Sequence, residues 1–345
     1  MKLVIQIPCL DEASTLPLVF EHMPRDIPGI DSIEFLVVDD GSRDRTVEVA
    51  RELGVHHFVR HTRNMGLGQS FHDGVLKAIE LGADIVVNTD GDNQYPSERI
   101  ADLVRPILDG EADIVIADRQ THTIEHFSPL KKRLQRVGSR VVNMAAGTEL
   151  PDAASGFRAY SREALIRLNT IAPFSYCMET IIQAGNKRLA ITSIPVQTNP
   201  KTRESRLFHS TREHVLKSAL IIIRAYIMYK PMMLFTTLGT VLFVGGLVPF
   251  VRFLILLEFG RNSGGVHHIQ SLIAGSVLMI AAMLVFALGV IADLIRINRI
   301  LVEDSLEQQK RQRFAKSEEA LLIPDLPASP QGLPTRVGRA VGLRP

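Results

Sequence analysis

Two long apolar stretches near the C-terminus constrain the fold of this chain more than any other feature. Leu234 to Val251 is eighteen residues without a charged side chain, and Leu272 to Ala292 is twenty-one. A helix needs about 20 apolar residues to cross the hydrocarbon core of a bilayer. The short connection, rich in Gly and His, is typical of a membrane hairpin, so we predict transmembrane helices at about 232–257 and 270–292. The alternative is a buried helical hairpin of a soluble protein.

Basic residues around the two stretches predict their orientation. Arg224 and Lys230 precede the first stretch, Arg296 and Arg299 follow the second, and the connection carries Arg261. Because Lys and Arg accumulate on the cytoplasmic side of membrane helices, this balance favours both termini in the cytoplasm. We therefore predict an integral membrane protein with two spans and a cytoplasmic N-terminal region.

The residues before these stretches alternate between strand-like and helical segments. Apolar runs of strand length include 2–8, 33–38, 84–87, 112–117 and 191–196, and helical patterns separate most of them, one of these at 160–168. Alternation of this kind predicts an α/β fold with a mostly parallel sheet and helices on both faces.

Acidic residues follow several of the predicted strands. They are Asp11, Glu12, Asp39, Asp40, Asp90, Asp92 and Asp118. In an open α/β sheet, ligands bind outside the carboxyl ends of the strands. The pattern therefore predicts an acidic cleft along one sheet edge, which a metal ion and a diphosphate would fill.

The motif NTDGDNQYP carries the candidate metal ligands. Asp90 and Asp92, separated by Gly91, can turn toward one divalent cation, and Gln94 adds a neutral oxygen. Ligands that are all oxygen suit Mg²⁺ or Mn²⁺. The alternative is a plain Asp-Gly turn after a strand, where both residue types are favoured anyway.

Two basic clusters and an amphipathic segment lie between this motif and the first span. The clusters are 131–140, in which Lys132, Arg136 and Arg140 would share a helix face, and KTRESRL at 201–207. Solvated surface is the usual explanation of such runs. Residues 209–230 are apolar on one side and basic on the other, which predicts a helix at the membrane surface. Beyond Ser305 the chain is charged and then rich in Pro and Gly, which predicts disorder.

The overall composition excludes some classes of protein. The formal charge of +2 indicates no nucleic-acid partner. The two cysteines, Cys9 and Cys177, lie in apolar stretches and form no disulfide framework, which is typical of a reducing compartment.

Five motifs taken together resemble a known family. IPCLDE, VVDDGSRDRT, NMGLG, TDGDNQYP and DAASGFRAY occur in the order and spacing of family 2 glycosyltransferases. The likeness is closer to the dolichol-phosphate mannose and polyprenyl-phosphate sugar synthases, covers about residues 1–230, and extends to the paired spans of bacterial members. It implies a Rossmann-like GT-A fold that binds a nucleotide-diphosphate sugar.

The resemblance implies roles for individual residues. Those that would hold the nucleoside are Pro8, Leu10, Glu12, Asp39 and Asp40, and those that would hold Mg²⁺ or Mn²⁺ are Asp90, Asp92 and Gln94. Those that would bind the acceptor phosphate are Lys132, Arg136, Arg203, Ser205 and Arg206. Arg203 stands where many relatives have glycine.

Arg119 matches an arginine near the sugar and phosphates. Asp152 is a candidate base or orienting group that could equally hold an arginine, and with Asp92 and Arg119 it completes the candidate catalytic set.

The implied activity is inverting transfer of a hexose from a nucleotide-diphosphate sugar to polyprenyl phosphate at the cytoplasmic membrane face. We divide the chain into a catalytic GT-A domain (1–208), an interfacial helix (209–230), a membrane segment (231–300) and a disordered cytoplasmic tail (301–345). Membrane lipids are expected partners, and the resemblance also allows a homo-oligomer. The alternatives are transfer to a hydroxyl of a glycolipid or glycan, hydrolysis of the nucleotide sugar, and a non-catalytic membrane-anchored sensor of nucleotide sugars.

Overall fold

The computed structural model describes residues 1–120, 129–170, 176–200, 227–259 and 269–322 of the chain. Most of the predicted interfacial helix at 209–230 and the whole 201–207 cluster, with Arg203, Ser205 and Arg206, lie outside the described residues. Lys132 lies in a described helix, but its side chain is also outside them.

A seven-stranded sheet forms the centre of the described N-terminal region. Its strands are β1 (Lys2–Cys9), β2 (Ser32–Asp39), β3 (His57–Arg60), β4 (Ile85–Asn88), β5 (Ile114–Asp118), β6 (Arg158–Ser161) and β7 (Ile191–Pro195). Their order is β3-β2-β1-β4-β6-β5-β7. Every neighbouring pair is parallel except that β6 runs antiparallel to β4 and β5. The predicted mostly parallel sheet is confirmed.

Helices cover both faces of this sheet. They are α1 (Leu16–Glu21), α2 (Thr46–Glu52), α3 (Leu67–Glu80), α4 (Ile100–Leu108), α5 (Pro129–Ala146), α6 (Arg162–Arg167) and α7 (Cys177–Asn186). Alternate residues of β1 point to opposite sides: Val4 joins a core with α3, α5, α6 and α7, and Ile5 joins a core with α1, α2 and α4. Complete burial of one such side chain contributes about 1.5–3 kcal/mol.

Strand β6 corrects the helix predicted for 160–168. Tyr160 and Ser161 belong to the strand, and α6 begins only at Arg162, where the Ser161 hydroxyl caps it by accepting from the Ala164 amide. Ala159 packs into one core and Tyr160 into the other. A strand buried on both faces lacks the polar alternation that would reveal it in a sequence.

Two long apolar helices, α8 (Pro231–Phe259) and α9 (Ile269–Leu322), follow the sheet region. Both are long and apolar enough to cross a membrane, and only 11% of each apolar window is buried within the protein. A core helix of a soluble protein would be mostly buried, so this exposure favours the membrane hairpin over that alternative. The two helices pack closely where Gly246 and Gly275 meet: a Cβ on either would lie within 3.0 Å of the other's carbonyl oxygen.

The prediction of a disordered tail from residue 301 is wrong for 301–322, because α9 continues as one helix to Leu322. Ion pairs one turn apart, Arg299 with Glu303 and Arg311 with Glu307, support the charged part of the helix. Phe314, which is 1% exposed, joins the core that contains α3. Residues 323–345 lie outside the described part of the chain.

Candidate active site

The ends of β1, β2 and β4 bring the predicted acidic residues to one edge of the sheet. Cys9 pairs with Asp39 across β1 and β2, and Gln6 pairs with Asn88 across β1 and β4. The loops that follow the strands are packed together: a Cβ on Gly91 would lie 3.1 Å from the Cys9 sulfur. The Thr15 hydroxyl lies 2.7 Å from both Glu12 Oε2 and the Gly91 carbonyl oxygen. Glu12 is therefore fixed beside the loop of the candidate metal ligands.

The candidate metal loop is compact and accessible. Asp90, Asp92 and Gln94 are all partly exposed, and Asp92 Oδ1 accepts the Gln94 amide at 3.1 Å. Within the described residues, no group of three or more His, Cys, Asp or Glu side chains could hold a metal ion. Two carboxylates and one amide oxygen suit Mg²⁺ or Mn²⁺, which usually complete their coordination with substrate phosphates and water. The residues present fit such an ion.

Unusual backbone conformations mark the same edge. The described part of the chain has four non-glycine residues with positive φ, and three follow strands at this edge: Asp11 (55°), Asn93 (58°) and Gln120 (47°). Such conformations cost of order 1 kcal/mol or more and cluster at functional sites. Their position after β1, β4 and β5 supports the choice of this edge.

Asp40 performs a structural task that the sequence did not reveal. Its carboxylate accepts the backbone amides of Met65 and Gly66 at 2.7 and 2.9 Å, and its Oδ1 lies 2.7 Å from His61 Nδ1. The other ring nitrogen of His61 lies 3.1 Å from Asp73. Asp40 thus anchors the NMGLG turn to the end of β2, and His61 connects Asp40 to Asp73 of α3. Contact of Asp40 or Asp39 with a nucleoside stays a prediction, as it does for the buried Pro8 and the partly exposed Leu10.

Arg119 and Asp152 form a bidentate ion pair. Arg119 Nε lies 2.6 Å from Asp152 Oδ2, and a second nitrogen lies 3.0 Å from Oδ1. Burial alone would raise the pKa of Asp152, but the charge and hydrogen bonds of Arg119 hold that pKa below its usual range. A carboxylate held this way accepts a proton poorly. Of the two roles that the sequence left open for Asp152, the geometry favours the one that holds an arginine.

A buried network of hydrogen bonds lies between the end of β4, which precedes the candidate metal loop, and the DAASGF segment. Asn88, the last residue of β4, donates to the Gly156 carbonyl at 3.1 Å and to the Tyr176 hydroxyl at 2.7 Å. Gln6 donates to Asn88, and the Gly156 amide donates to Tyr95 at 3.1 Å. A Cβ on Gly156 would lie 3.6 Å from Asp90 and 3.2 Å from the Tyr176 oxygen. Glycine therefore allows DAASGF to lie against the metal loop.

Asn199 is a second contributor that sequence reasoning missed. The backbone N–H of Asn199 donates to the Gln94 carbonyl at 2.9 Å, and its side-chain amide donates to the Asn93 carbonyl at 3.1 Å. The chain therefore reaches the metal loop immediately before the basic 201–207 segment. Among the predicted acceptor residues with described side chains, Arg136 is exposed on α5.

A mostly parallel sheet with one antiparallel strand, and an acidic loop at its carboxyl edge, is the architecture of the GT-A glycosyltransferases. Solved structures share this fold. Glucosyl-3-phosphoglycerate synthase from Mycobacterium tuberculosis, in complex with Mn²⁺, UDP-glucose and phosphoglyceric acid, superposes with a TM-score of 0.51 at 22% identity, over 66% of this chain and 78% of that one.

Sequence comparison identifies the family. The model of "Glycosyl transferase family 2" matches residues 4–168. A UDP-N-acetylglucosamine–dolichyl-phosphate N-acetylglucosaminyltransferase of Methanococcus voltae is 30% identical over 47% of this chain and 73% of its own length. A polyprenol monophosphomannose synthase of Mycolicibacterium smegmatis is 26% identical over 56% and 76%. The chain belongs to glycosyl transferase family 2, and the predicted family is confirmed.

Proposed function

We propose that this protein transfers a hexose from a nucleotide-diphosphate sugar to polyprenyl phosphate at the cytoplasmic face of a membrane, with inversion at the anomeric carbon. The observation that carries the proposal is the contact of Asn199, two residues before the basic 201–207 segment in the sequence, with the candidate metal loop. A donor diphosphate and an acceptor phosphate would meet near such a contact. The two relatives are named for a transfer to dolichyl phosphate and for the synthesis of polyprenol monophosphomannose, and both names agree with a polyprenyl-phosphate acceptor.

The donor would occupy the acidic edge. Asp90, Asp92 and Gln94 would hold Mg²⁺ or Mn²⁺, which neutralises charge on the departing nucleoside diphosphate. Arg119 would add a positive charge on the same side, since Arg119 and Asp90 both act electrostatically on Tyr95, and Asp152 holds the arginine in position. Charges that are already oriented stabilise a leaving group without reorganisation during the reaction.

The acceptor needs cations more than it needs a base. A phosphate monoester has a second pKa near 6 and is mostly dianionic at neutral pH. Its oxygen can therefore attack the sugar without losing a proton to the protein. Lys132 and Arg136 of α5, with Arg203, Ser205 and Arg206, would orient that phosphate for in-line attack. The lowered pKa of Asp152 agrees with a reaction that requires no protein base.

The membrane helices would hold the catalytic domain at the lipid surface. Lys230, immediately before α8, donates to the Met144 carbonyl in the last turn of α5 at 2.7 Å. The helix that carries Lys132 and Arg136 is thereby tied to the membrane segment. With both termini in the cytoplasm, the site would face the headgroup of a polyprenyl phosphate whose chain stays in the bilayer.

The test is transfer from a panel of radiolabelled nucleotide hexoses to undecaprenyl phosphate, with Mg²⁺, Mn²⁺ or EDTA. We expect one donor to give a lipid-linked product that requires metal, and Asp92→Asn to lower the rate by at least about a hundredfold because a ligand charge is lost. Asp109→Asn, an exposed carboxylate paired with Arg105 on α4, is the matched control and should keep full activity.

A second acceptor separates phosphate from hydroxyl chemistry. Undecaprenol, which lacks the phosphate, should accept no sugar under the same conditions. Equal transfer to undecaprenol would point to a hydroxyl acceptor. No lipid product from any donor, with nucleotide binding intact, would contradict the proposal and favour the sensor.

A further inference from the structure

Helix α9 is much longer than a membrane span requires. Its 54 residues measure about 80 Å, whereas about 20 residues cross the hydrocarbon core. The uncharged stretch ends at Ala292, so the 30 residues from Asp293 to Leu322 extend about 45 Å further. This cytoplasmic half of α9 returns to the catalytic domain and touches it at two levels, which are joined by Glu307 because it pairs with both Lys187 and Arg311.

The level near the membrane is built from polar contacts. Arg299 donates to the Tyr229 hydroxyl at 2.8 Å, and its guanidinium lies 4.7 Å from the centre of that ring. Lys187, immediately after α7, lies 3.9 Å from Glu303 and 3.7 Å from Glu307. These groups are half-buried or buried, so the contacts are screened less than surface pairs.

The far level combines ion pairs with a buried aromatic ring. Arg311 forms a two-pronged pair with Glu163 at 2.5 and 2.9 Å, and Arg313 lies 2.5 Å from Glu80. Lys310 donates to the Leu168 carbonyl at 2.7 Å. Phe314 is 1% exposed and belongs to the same core as Phe71 and Tyr176. Phe314 therefore packs as part of the hydrophobic core of the catalytic domain.

Two attachments along a rigid helix fix orientation as well as distance. Glu303, which pairs with Lys187, and Phe314 are 11 residues apart, or about 16 Å along the helix axis. A single attachment would act as a hinge, but a pair at this spacing prevents the domain from tilting on its membrane anchor. The Arg313 contact lies away from the active site: Glu80 ends α3, about 20 Å along that helix from the NMGLG turn at the site edge.

We propose that the cytoplasmic half of α9 is a strut that sets the height and tilt of the catalytic domain over the bilayer, with Phe314 and Arg311 as positioning residues for attack by a membrane-embedded lipid phosphate. This inference rests on the proposed polyprenyl-phosphate acceptor. A strut of this kind matters only when the acceptor is held in the membrane. An acceptor that diffuses in water reaches the site at any tilt.

The experiment compares two acceptors with one enzyme preparation in lipid nanodiscs. One acceptor is undecaprenyl phosphate in the nanodisc, and the other is citronellyl phosphate, a short isoprenoid phosphate, added from solution. The donor is the nucleotide hexose that the wild type uses. We expect Phe314→Ala to lower transfer to undecaprenyl phosphate at least about tenfold, through the loss of a buried aromatic contact, and transfer to citronellyl phosphate less than about twofold.

Charge reversals test the same strut without opening a cavity. Glu163→Arg and Arg311→Glu should each lower the ratio of the two rates about threefold, as expected for a partly exposed pair, and the double variant should restore it in part, because the pair of Arg311 with Glu307 stays lost. Leu306→Ala, at a position 41% exposed on the same helix, is the control and should leave the ratio unchanged.

The outcomes distinguish the strut from a folding defect and from the proposed function. Equal loss with both acceptors in Phe314→Ala would show that Phe314 only stabilises the domain. No loss with either acceptor would show that tilt does not matter. Either result overturns the strut. A wild type that transfers to neither phosphate would contradict the proposed function and remove the basis of this inference.

Discussion

At the scale of single residues, the pair of Arg119 and Asp152 has the clearest energetic consequence. Asp152 is 1% exposed and Arg119 20% exposed, so neither charge is well solvated. Removing one partner leaves the other charge buried without its counter-ion and lowers the free energy of unfolding by about 3 kcal/mol. This value is at the lower end for buried ion pairs because Arg119 keeps some contact with water. We expect Asp152→Asn to lower the apparent Tm in detergent and to reduce activity through a misplaced Arg119.

The pH dependence of this loss has a definite sign. Because the folded-state pKa of Asp152 is lowered, the pair stabilises the protein above the unfolded-state pKa of about 3.9, and that contribution is lost as the pH falls through the folded value. The difference in Tm between the wild type and Asp152→Asn should therefore be constant from about pH 5 to 8 and shrink below about pH 4. A difference that already disappears near pH 6 would mean that Asp152 titrates as a base.

The sequence points to individual candidate residues only where chemistry and local spacing coincide, and their roles stay predictions. Asp90 and Asp92 stand out because two carboxylates around a glycine follow an apolar strand. Asn199 and Tyr176 reach the site by folding over a long stretch of chain, and an isolated Asn or Tyr carries no local pattern. The task of Asp40 depended on backbone amides of a turn 25 residues away, which no motif encodes.

At the scale of elements, parallel strands with helices between them were predictable from the alternation of apolar runs, but β6 and the end of α9 were not. Strand β6 is four residues long and buried on both faces, so no period distinguishes it from the start of α6. The charged segment after residue 301 lacks the apolar stripe expected of a packed helix. One ring, Phe314, and a series of ion pairs hold it in place.

Packing between α8 and α9 gives a prediction at this scale. A Cβ on Gly246 would lie 2.9 Å from Met279 Cγ and 3.0 Å from the Gly275 carbonyl, whereas a Cβ on Gly245 would meet nothing within 4 Å. Close approach at small residues is how membrane helices pack. Gly246→Leu should therefore lower the free energy of unfolding in micelles by about 1–3 kcal/mol, as overpacking does, and Gly245→Leu by less than about 0.5 kcal/mol. Denaturation by SDS measures both, and equal effects would contradict the observed helix contact.

At the scale of the whole molecule, the candidate active site and the long apolar helix α9 share one core. Tyr176, which hydrogen-bonds to Asn88 beneath the metal loop, stacks on Phe71 with ring centres 3.8 Å apart. Phe71 lies in the same buried cluster as Phe314 of α9. Ligands that bind the acidic edge should therefore stabilise the catalytic domain together with the docked part of α9, as a single unit.

This coupling predicts how donor nucleotide and metal act together on stability. A ligand at a hundred times its Kd adds about 2.7 kcal/mol to folding, which raises the Tm of a domain this size by roughly 5–10 °C. We expect UDP or GDP to produce such a shift with Mn²⁺ and little shift in EDTA, because Asp90 and Asp92, as the proposed metal ligands, would need a cation between their charges and the diphosphate. Asp90→Asn should lose the Mn²⁺-dependent part, and Asp109→Asn should retain it. Full stabilisation by the nucleotide in EDTA would mean that Arg119 and its neighbours hold the diphosphate without metal, and the acidic loop would then need another role.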